Sequence, residues 1–178
     1  MPRRVRRALF IGRFQPYHSG HHHVVRGLAR RFAEVFIVVG STQANRTREN
    51  PLTVKEREKL IHAALRADGL KGKCRVLELK DKNENEGWVR ALLALCKFDE
   101  AFSNHPLTLK LLREKGFPSH ETGLWRGISA TLVRSLMRKN DARWKKLVHP
   151  AVVKELEARG LVGVIRASVK PSPPPVYS

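Results

Sequence analysis

Apolar runs of strand length alternate along the chain with stretches where apolar residues recur at helical spacing. Ala8-Leu9-Phe10-Ile11 is apolar at consecutive positions, as a parallel strand buried on both faces would be. Two glycines and a proline follow, after which Val24, Leu28 and Phe32 recur every four residues with Ser19 available as the N-cap. Val35-Phe36-Ile37-Val38-Val39 is a second, β-branched run closed by Gly40, so the opening predicts a parallel βαβ unit. Thr53 and Glu56 supply a capping box for a helix to about Ala67. Arg75-Val76-Leu77-Glu78-Leu79 reads as a third strand, and a helix starts near Gly87. Glu100-Ala101-Phe102-Ser103 reads as a weak fourth strand. Asn104-His105-Pro106 opens another helix, with proline in its first turn and Gly116 just past its end. Residues 117–127 predict a short last strand and a loop. Helices follow from Ser129, over Asp141 to Trp144, and over Pro150 to Arg159.

At 178 residues the chain fits one domain with a full core, and 42% hydrophobic with 7% aromatic residues marks it as globular. No internal repeat appears. We assign residues 1–160 to the domain and 161–178 to a C-terminal arm that is partly proline-rich, with Pro171, Pro173, Pro174 and Pro175. The 35 Lys and Arg against 16 Asp and Glu give +19, which promises polyanionic company without choosing among nucleotides, nucleic acid and an anionic surface. Arg3, Arg4, Arg6 and Arg7 form a basic arm, read as a solvated terminus in preference to an RNA contact. Cys74 and Cys96 lack metal-ligand spacing and read as reduced, buried thiols. Four apolar residues are too few for a signal peptide, and no later run approaches a membrane span.

Candidate chemistry gathers after the first strand. Gly12 permits a sharp turn or close contact with a ligand, and Pro16 stops the strand from continuing. His18 and His21 then fall at a helix N-terminus, which gathers unpaired N–H groups and partial positive charge. His22 and His23 extend the run and read as a solvated helix face. Ser129 and Thr131 suit a later helix start with Arg134 a turn on, so hydroxyls, N–H groups and a guanidinium can converge on one phosphate. By spacing from Leu92 and Leu95, Trp88 reads as core, although a tryptophan at a crevice edge can also stack on a ring. Asn104 reads as a helix cap or as a polar contact, and Glu56 as a cap or as part of a signature.

Gly12-Arg13-Phe14-Gln15-Pro16-x-His18-x-Gly20-His21, directly after a first strand, resembles the His-x-Gly-His signature of the nucleotidylyltransferase superfamily. More narrowly, it is similar to the archaeal-type nicotinamide mononucleotide adenylyltransferases. Three further blocks match in order: Gly40-Ser41-x-Gln43 with Glu49-Asn50-Pro51-Leu52-Thr53-x-x-Glu56-Arg57; Ser103 to Pro106; and Ile128-Ser129-Ala130-Thr131-x-x-Arg134. The departures are His105 between Asn104 and the proline, Ala130 for a glycine or small polar residue, and Val133 for an isoleucine. The resemblance covers roughly residues 8–160.

That resemblance implies an α/β fold, a doubly wound parallel sheet of Rossmann-like type with a helical C-terminal piece and its site at the strand carboxyl ends. It implies transfer of the adenylyl group of ATP to nicotinamide mononucleotide, giving NAD and pyrophosphate, with Mg²⁺ carried on the ATP phosphates and no metal ligand from the protein. Catalytic roles fall on His18, His21, Arg13 and Arg134. Gly12, Arg13, Phe14, His18, His21, Ser129, Thr131 and Arg134 would bind ATP, and Trp88, Asn104 and Ser41 the acceptor, with Trp88 on the nicotinamide ring. A cytoplasmic homo-oligomer, often a hexamer, is implied, and neither a membrane nor nucleic acid is expected as a partner. The alternatives are adenylyl or cytidylyl transfer to another phosphorylated acceptor, such as phosphopantetheine or FMN, and a basic nucleic-acid-binding module. The module reading lacks aromatic residues interleaved with the basic ones. A class I tRNA synthetase fragment would share the first histidine motif, but the Lys-Met-Ser-Lys-Ser loop is missing.

Overall fold

Strands β1 (Arg7–Gly12), β2 (Glu34–Val39), β3 (Cys74–Glu78), β4 (Glu100–Ser103) and β5 (Ser119–Glu121) pair in parallel in the order β3-β2-β1-β4-β5. The structure is a computed structural model that describes residues 5–82 and 84–171. Parallel strands need helical crossovers, and these bury both faces of the sheet. Within each apolar run, side chains therefore part to two cores by simple alternation. Ala8, Phe10, Val35, Ile37 and Val39 enter one, while Leu9, Ile11, Phe36 and Val38 enter the other.

The first core receives α1 (Ser19–Arg31), α2 (Val54–Ala67), α5 (Ala130–Arg138), α6 (Pro150–Ala158) and α7 (Leu161–Ala167). The second receives α3 (Asn85–Leu95) and α4 (Pro106–Glu114). The strand order reverses between β1 and β4, so the connections that leave their carboxyl ends run to opposite faces of the sheet, the switch point at which open α/β sheets bind ligands. Ser103 ties the two ends together: its hydroxyl donates to the Ile11 carbonyl at 3.1 Å and accepts the His105 N–H at 3.1 Å.

The helical C-terminal piece extends beyond its expected end. Leu161–Ala167, which the sequence suggests belongs to the arm, form α7, and Leu161 and Ile165 are buried in the first core. The helix read over Asp141 to Trp144 is a 3₁₀ helix that spans Ala142–Leu147, with Asp141 as its N-cap. The basic arm is also less free than expected. Arg6 pairs with Glu100 and lies 5.1 Å over the Phe32 ring, and Arg7 belongs to β1. Arg3 and Arg4 lie outside the described residues, as do Pro173, Pro174 and Pro175. Cys74 and Cys96 are free and buried, and burial pushes both thiols up to about 11. Among the described residues no helix is long and apolar enough to cross a membrane.

Candidate active site

The turn leaving β1 is held from three directions. Phe14 takes a left-handed φ of 52°. The Gln15 side chain pairs with the backbone of Leu52, its amide donating to the carbonyl at 2.8 Å and its oxygen accepting the N–H at 2.9 Å. Arg57, fully buried on α2, donates to the carbonyls of Arg13 and Gly40 at 2.8 Å each and of Ser41 at 3.0 Å. These carbonyls end β1 and β2, where parallel strands leave unpaired acceptors, and one guanidinium satisfies them together. Gly12 suits this close packing, since a Cβ there would lie 3.2 Å from the Phe14 ring and push it by a few tenths of an ångström.

The two signature histidines cap their own helix. His18 is the N-cap of α1, and Ser19, the expected cap, takes the first helical position. The His18 Nδ1 accepts the His21 N–H at 3.4 Å, and the His21 Nδ1 accepts the His18 N–H at 3.3 Å. With both Nδ1 atoms accepting, each neutral imidazole carries its proton on Nε2 and presents a donor away from the helix. The rings stack at 3.6 Å and 21°. Gly20 makes this fit possible, because a Cβ at that position would lie 3.0 Å from the His18 ring. Burial, and then the nearby Arg134, pull the His18 imidazole down to about 4, and burial with His18 beside it holds His21 well below its ordinary value. Both rings are therefore uncharged donors at neutral pH.

Ser129 caps α5, its hydroxyl accepting the Leu132 N–H at 3.1 Å. The Ile128 carbonyl lies 3.5 Å from the Cβ position at Gly20, so the N-termini of α1 and α5 meet at one place. Two such ends bring free N–H groups and partial positive charge to one anion site. Arg134 is 7% exposed; it donates to the Gln15 carbonyl at 2.7 Å and to the Thr131 hydroxyl at 3.3 Å, and its Nε has no partner. Burial, then Arg138 and Arg13, lower its guanidinium to about 10, which leaves it cationic at neutral pH. The hydrogen bonds to Gln15 and Thr131 go to neutral oxygens, and among the described residues the carboxylate that acts on it is Glu49, so this buried cation keeps charge available to an anionic ligand.

Gly12, Phe14, His18, His21, Ser129, Thr131 and Arg134 thus gather around one turn and two helix ends. Arg13 is exposed beside them, near enough for its charge to act on Arg57, His105 and Arg134. Ser41 joins the same network through its carbonyl on Arg57 and takes a φ of 49°. Asn104 does not cap α4: that position belongs to His105, whose Nδ1 accepts the Thr108 N–H at 3.4 Å. Asn104 instead joins the end of β4 to the loop after β5, accepting the Thr122 N–H at 3.1 Å and donating to the Gly123 carbonyl at 2.9 Å. Trp88 is 8% exposed and shares the second core with Leu9, Ile11 and Val38, as its spacing from Leu92 and Leu95 reads.

His22, read as solvated, is 4% exposed, because the buried stripe of α1 runs through positions 22, 25 and 29 and not through Val24; His23 is exposed and stacks on Trp125 at 4.8 Å. Arg57 carries no site role in the sequence reading. Its signal was available: it lies on the apolar face of α2 with Leu60, Ile61 and Ala64, where a cation is out of place unless it has work to do.

Residues 9–136 match the cytidylyltransferase-like family. The nicotinamide-nucleotide adenylyltransferase of Methanolobus tindarius is 36% identical over 152 residues, covering 84% of this chain and 86% of that one. The enzyme of the same name from Aeropyrum pernix is 35% identical over 164 residues, covering 88% and 94%. Among solved structures, a bifunctional NMN adenylyltransferase/ADP ribose pyrophosphatase from Francisella tularensis, complexed with AMP and a manganese ion, superposes with a TM-score of 0.69 at 18% identity. That match covers 92% of this chain and about half, 52%, of the other, and at this identity it speaks for the fold. Fold, ordered motifs and relatives agree: the chain belongs to the cytidylyltransferase-like family of nucleotidyltransferases and, within it, to the nicotinamide-nucleotide adenylyltransferases.

Proposed function

We propose that the protein transfers the adenylyl group of ATP to nicotinamide mononucleotide, forming NAD and releasing pyrophosphate. The observation that carries this reading is the convergence of the α1 and α5 N-termini with two Nε2–H imidazoles and the partly unpaired Arg134. The acceptor's phosphate oxygen attacks the α-phosphorus of ATP in line, and pyrophosphate leaves without a covalent enzyme intermediate. Catalysis then rests on positioning and charge stabilisation. His18 and His21 donate to phosphate oxygens as negative charge moves toward the leaving group. Arg134, Ser129 and Thr131 hold the departing pyrophosphate, and Arg13 reaches the triphosphate or the acceptor phosphate.

The side chains at this anion site are guanidinium and imidazole donors, a set that suits phosphate and not a protein-held cation. We therefore assign Mg²⁺ to the ATP phosphates, as part of the substrate. Gly12 and Phe14 shape the floor beneath ATP, while Trp88, Asn104 and Ser41 form the acceptor side. A cytoplasmic homo-oligomer is the working form we infer from the kinship. The test is to incubate the protein with Mg²⁺-ATP and a panel of phosphorylated acceptors while following pyrophosphate. Release with nicotinamide mononucleotide and appearance of NAD are expected. Release with phosphopantetheine or FMN instead would overturn the acceptor assignment.

A further inference from the structure

His22 belongs to the histidine run but not to the adenylyl transfer, and its surroundings are unusually polar for a residue 4% exposed. Its Nδ1 lies 3.0 Å from the Tyr17 hydroxyl and its Nε2 3.0 Å from Asp68 Oδ2. Asp68, at the C-terminal end of α2, also meets the Nε2 of His149 at 3.3 Å, and His149 caps α6 by accepting the Ala151 N–H at 3.1 Å on Nδ1. A carboxylate only accepts, so both Nε2 atoms carry protons, and the His22 Nδ1 accepts from the tyrosine. His22, Asp68 and His149 offer ligand atoms within 4.8 Å of one another, the spacing of a metal site. Yet His149 has no lone pair to give, one ring nitrogen being protonated and the other engaged by the backbone. The group is a hydrogen-bonded clasp joining α1, α2 and α6.

The clasp ends on Tyr17, which is fully buried and whose phenol therefore needs a partner. The Tyr17 ring stacks on His21 at 5.6 Å and 21°, the His18 ring stacks on it at 3.6 Å, and Phe14 meets it edge-on at 4.9 Å. His21 is thus held at one nitrogen by a long hydrogen bond and otherwise by the rings around it. Aliphatic residues at position 22 and a phenylalanine at position 17 would fill this space at a lower desolvation cost, but would leave the ring against His21 free to slide. We infer that the Asp68–His22–Tyr17 chain, anchored on α6 by His149, is a positioning device that holds the His21 ring so that its Nε2–H points at the reacting phosphate. This rests on the catalytic role proposed above for His21.

The experiment measures kcat and KM for ATP and nicotinamide mononucleotide in Tyr17→Phe, His22→Leu and His22→Gln, each in the natural sequence and in a His21→Ala background. Assays run well below every variant's melting temperature. Tyr17→Phe and His22→Leu should lower kcat about tenfold with both KM values within about twofold, the signature of a misaimed group. His22→Gln keeps an acceptor for Tyr17 and a donor for Asp68, and should recover most of the loss. In the His21→Ala background the clasp substitutions should change kcat no further. Full kcat in the clasp variants, or an equal loss with and without His21, overturns the inference. Normal turnover by His21→Ala alone would instead overturn the role of His21, and the clasp's with it. Should His22→Leu fail to fold, Tyr17→Phe carries the test, since it removes a single oxygen.

Discussion

On the side of the sheet that carries α1 and α5, the proposed contact residues are held by the main chain: His18 and His21 by each other's N–H, Arg134 by the Gln15 carbonyl, Ser129 by Leu132. On the side of α3 and α4, Trp88 is packed in the second core, and Asn104 is engaged with Thr122 and Gly123. The first arrangement is pre-organised for an anion of unvarying shape. In the second, each proposed residue already has structural work, and under the proposed roles the same side chains would serve both acceptor recognition and stability. Substitutions on the two sides should accordingly fail in different ways.

The largest effect is expected on the acceptor side. Trp88→Ala removes a buried indole and should cost about 3–5 kcal/mol, read from the denaturant midpoint, and should also raise KM for nicotinamide mononucleotide several-fold with that for ATP unchanged. Trp88→Phe should recover part of both. A loss of stability with KM intact would reduce this half of the crevice to scaffold. On the nucleotide side, His21→Ala should leave ATP affinity nearly as it was, cost about 1 kcal/mol of stability for the lost capping bond, and lower kcat by roughly a hundredfold to a thousandfold, or ~2.7–4 kcal/mol. Steady-state kinetics beside calorimetric binding of ATP checks this split.

The depressed imidazoles give the nucleotide side a pH signature. His18 titrates near 6.5 in the unfolded chain and at about 4 in the folded one, so the unfolded chain binds more protons between these values. Stability contributed by the neutral ring is present above pH 6.5 and is lost as pH falls toward 4, by on the order of 2–3 kcal/mol. Thermal unfolding of the free protein across that window should show the loss, and His18→Asn should flatten it. The smallest effect is expected for Asn104→Ala, which forfeits its bonds to Thr122 and Gly123 at an exposed site for about 1 kcal/mol. A larger rise in acceptor KM than in instability would move Asn104 from fastener to ligand.

The sheet was legible because strands buried on both faces must be apolar at consecutive positions, and β1 and β2 are. The turn after β1 was legible because its glycines and histidines answer to local geometry within a single βα unit. What the chain does not advertise is long-range pairing. Arg57 reaches back to Arg13 and Gly40, and His22 reaches forward to Asp68, contacts set by tertiary packing that no local period encodes. α7 lacks helix signals because Gly160, read as a stop after α6, serves in the left-handed conformation as the cap of the next helix.

The bond from Arg134 to the Gln15 carbonyl spans 119 positions. Such closure comes late in folding, since distant segments meet only after local elements have formed. During synthesis from the N-terminus, the turn after β1 emerges early, while the guanidinium that completes the proposed anion site emerges after most of the chain. The full-length Arg134→Leu variant is expected to keep all five strands yet bind ATP poorly, which equilibrium dialysis would reveal. Because a ligand stabilises only the state it binds, ATP then favours finished chains over partial ones. The nucleotide becomes, in effect, a proofreader of its own enzyme's completion.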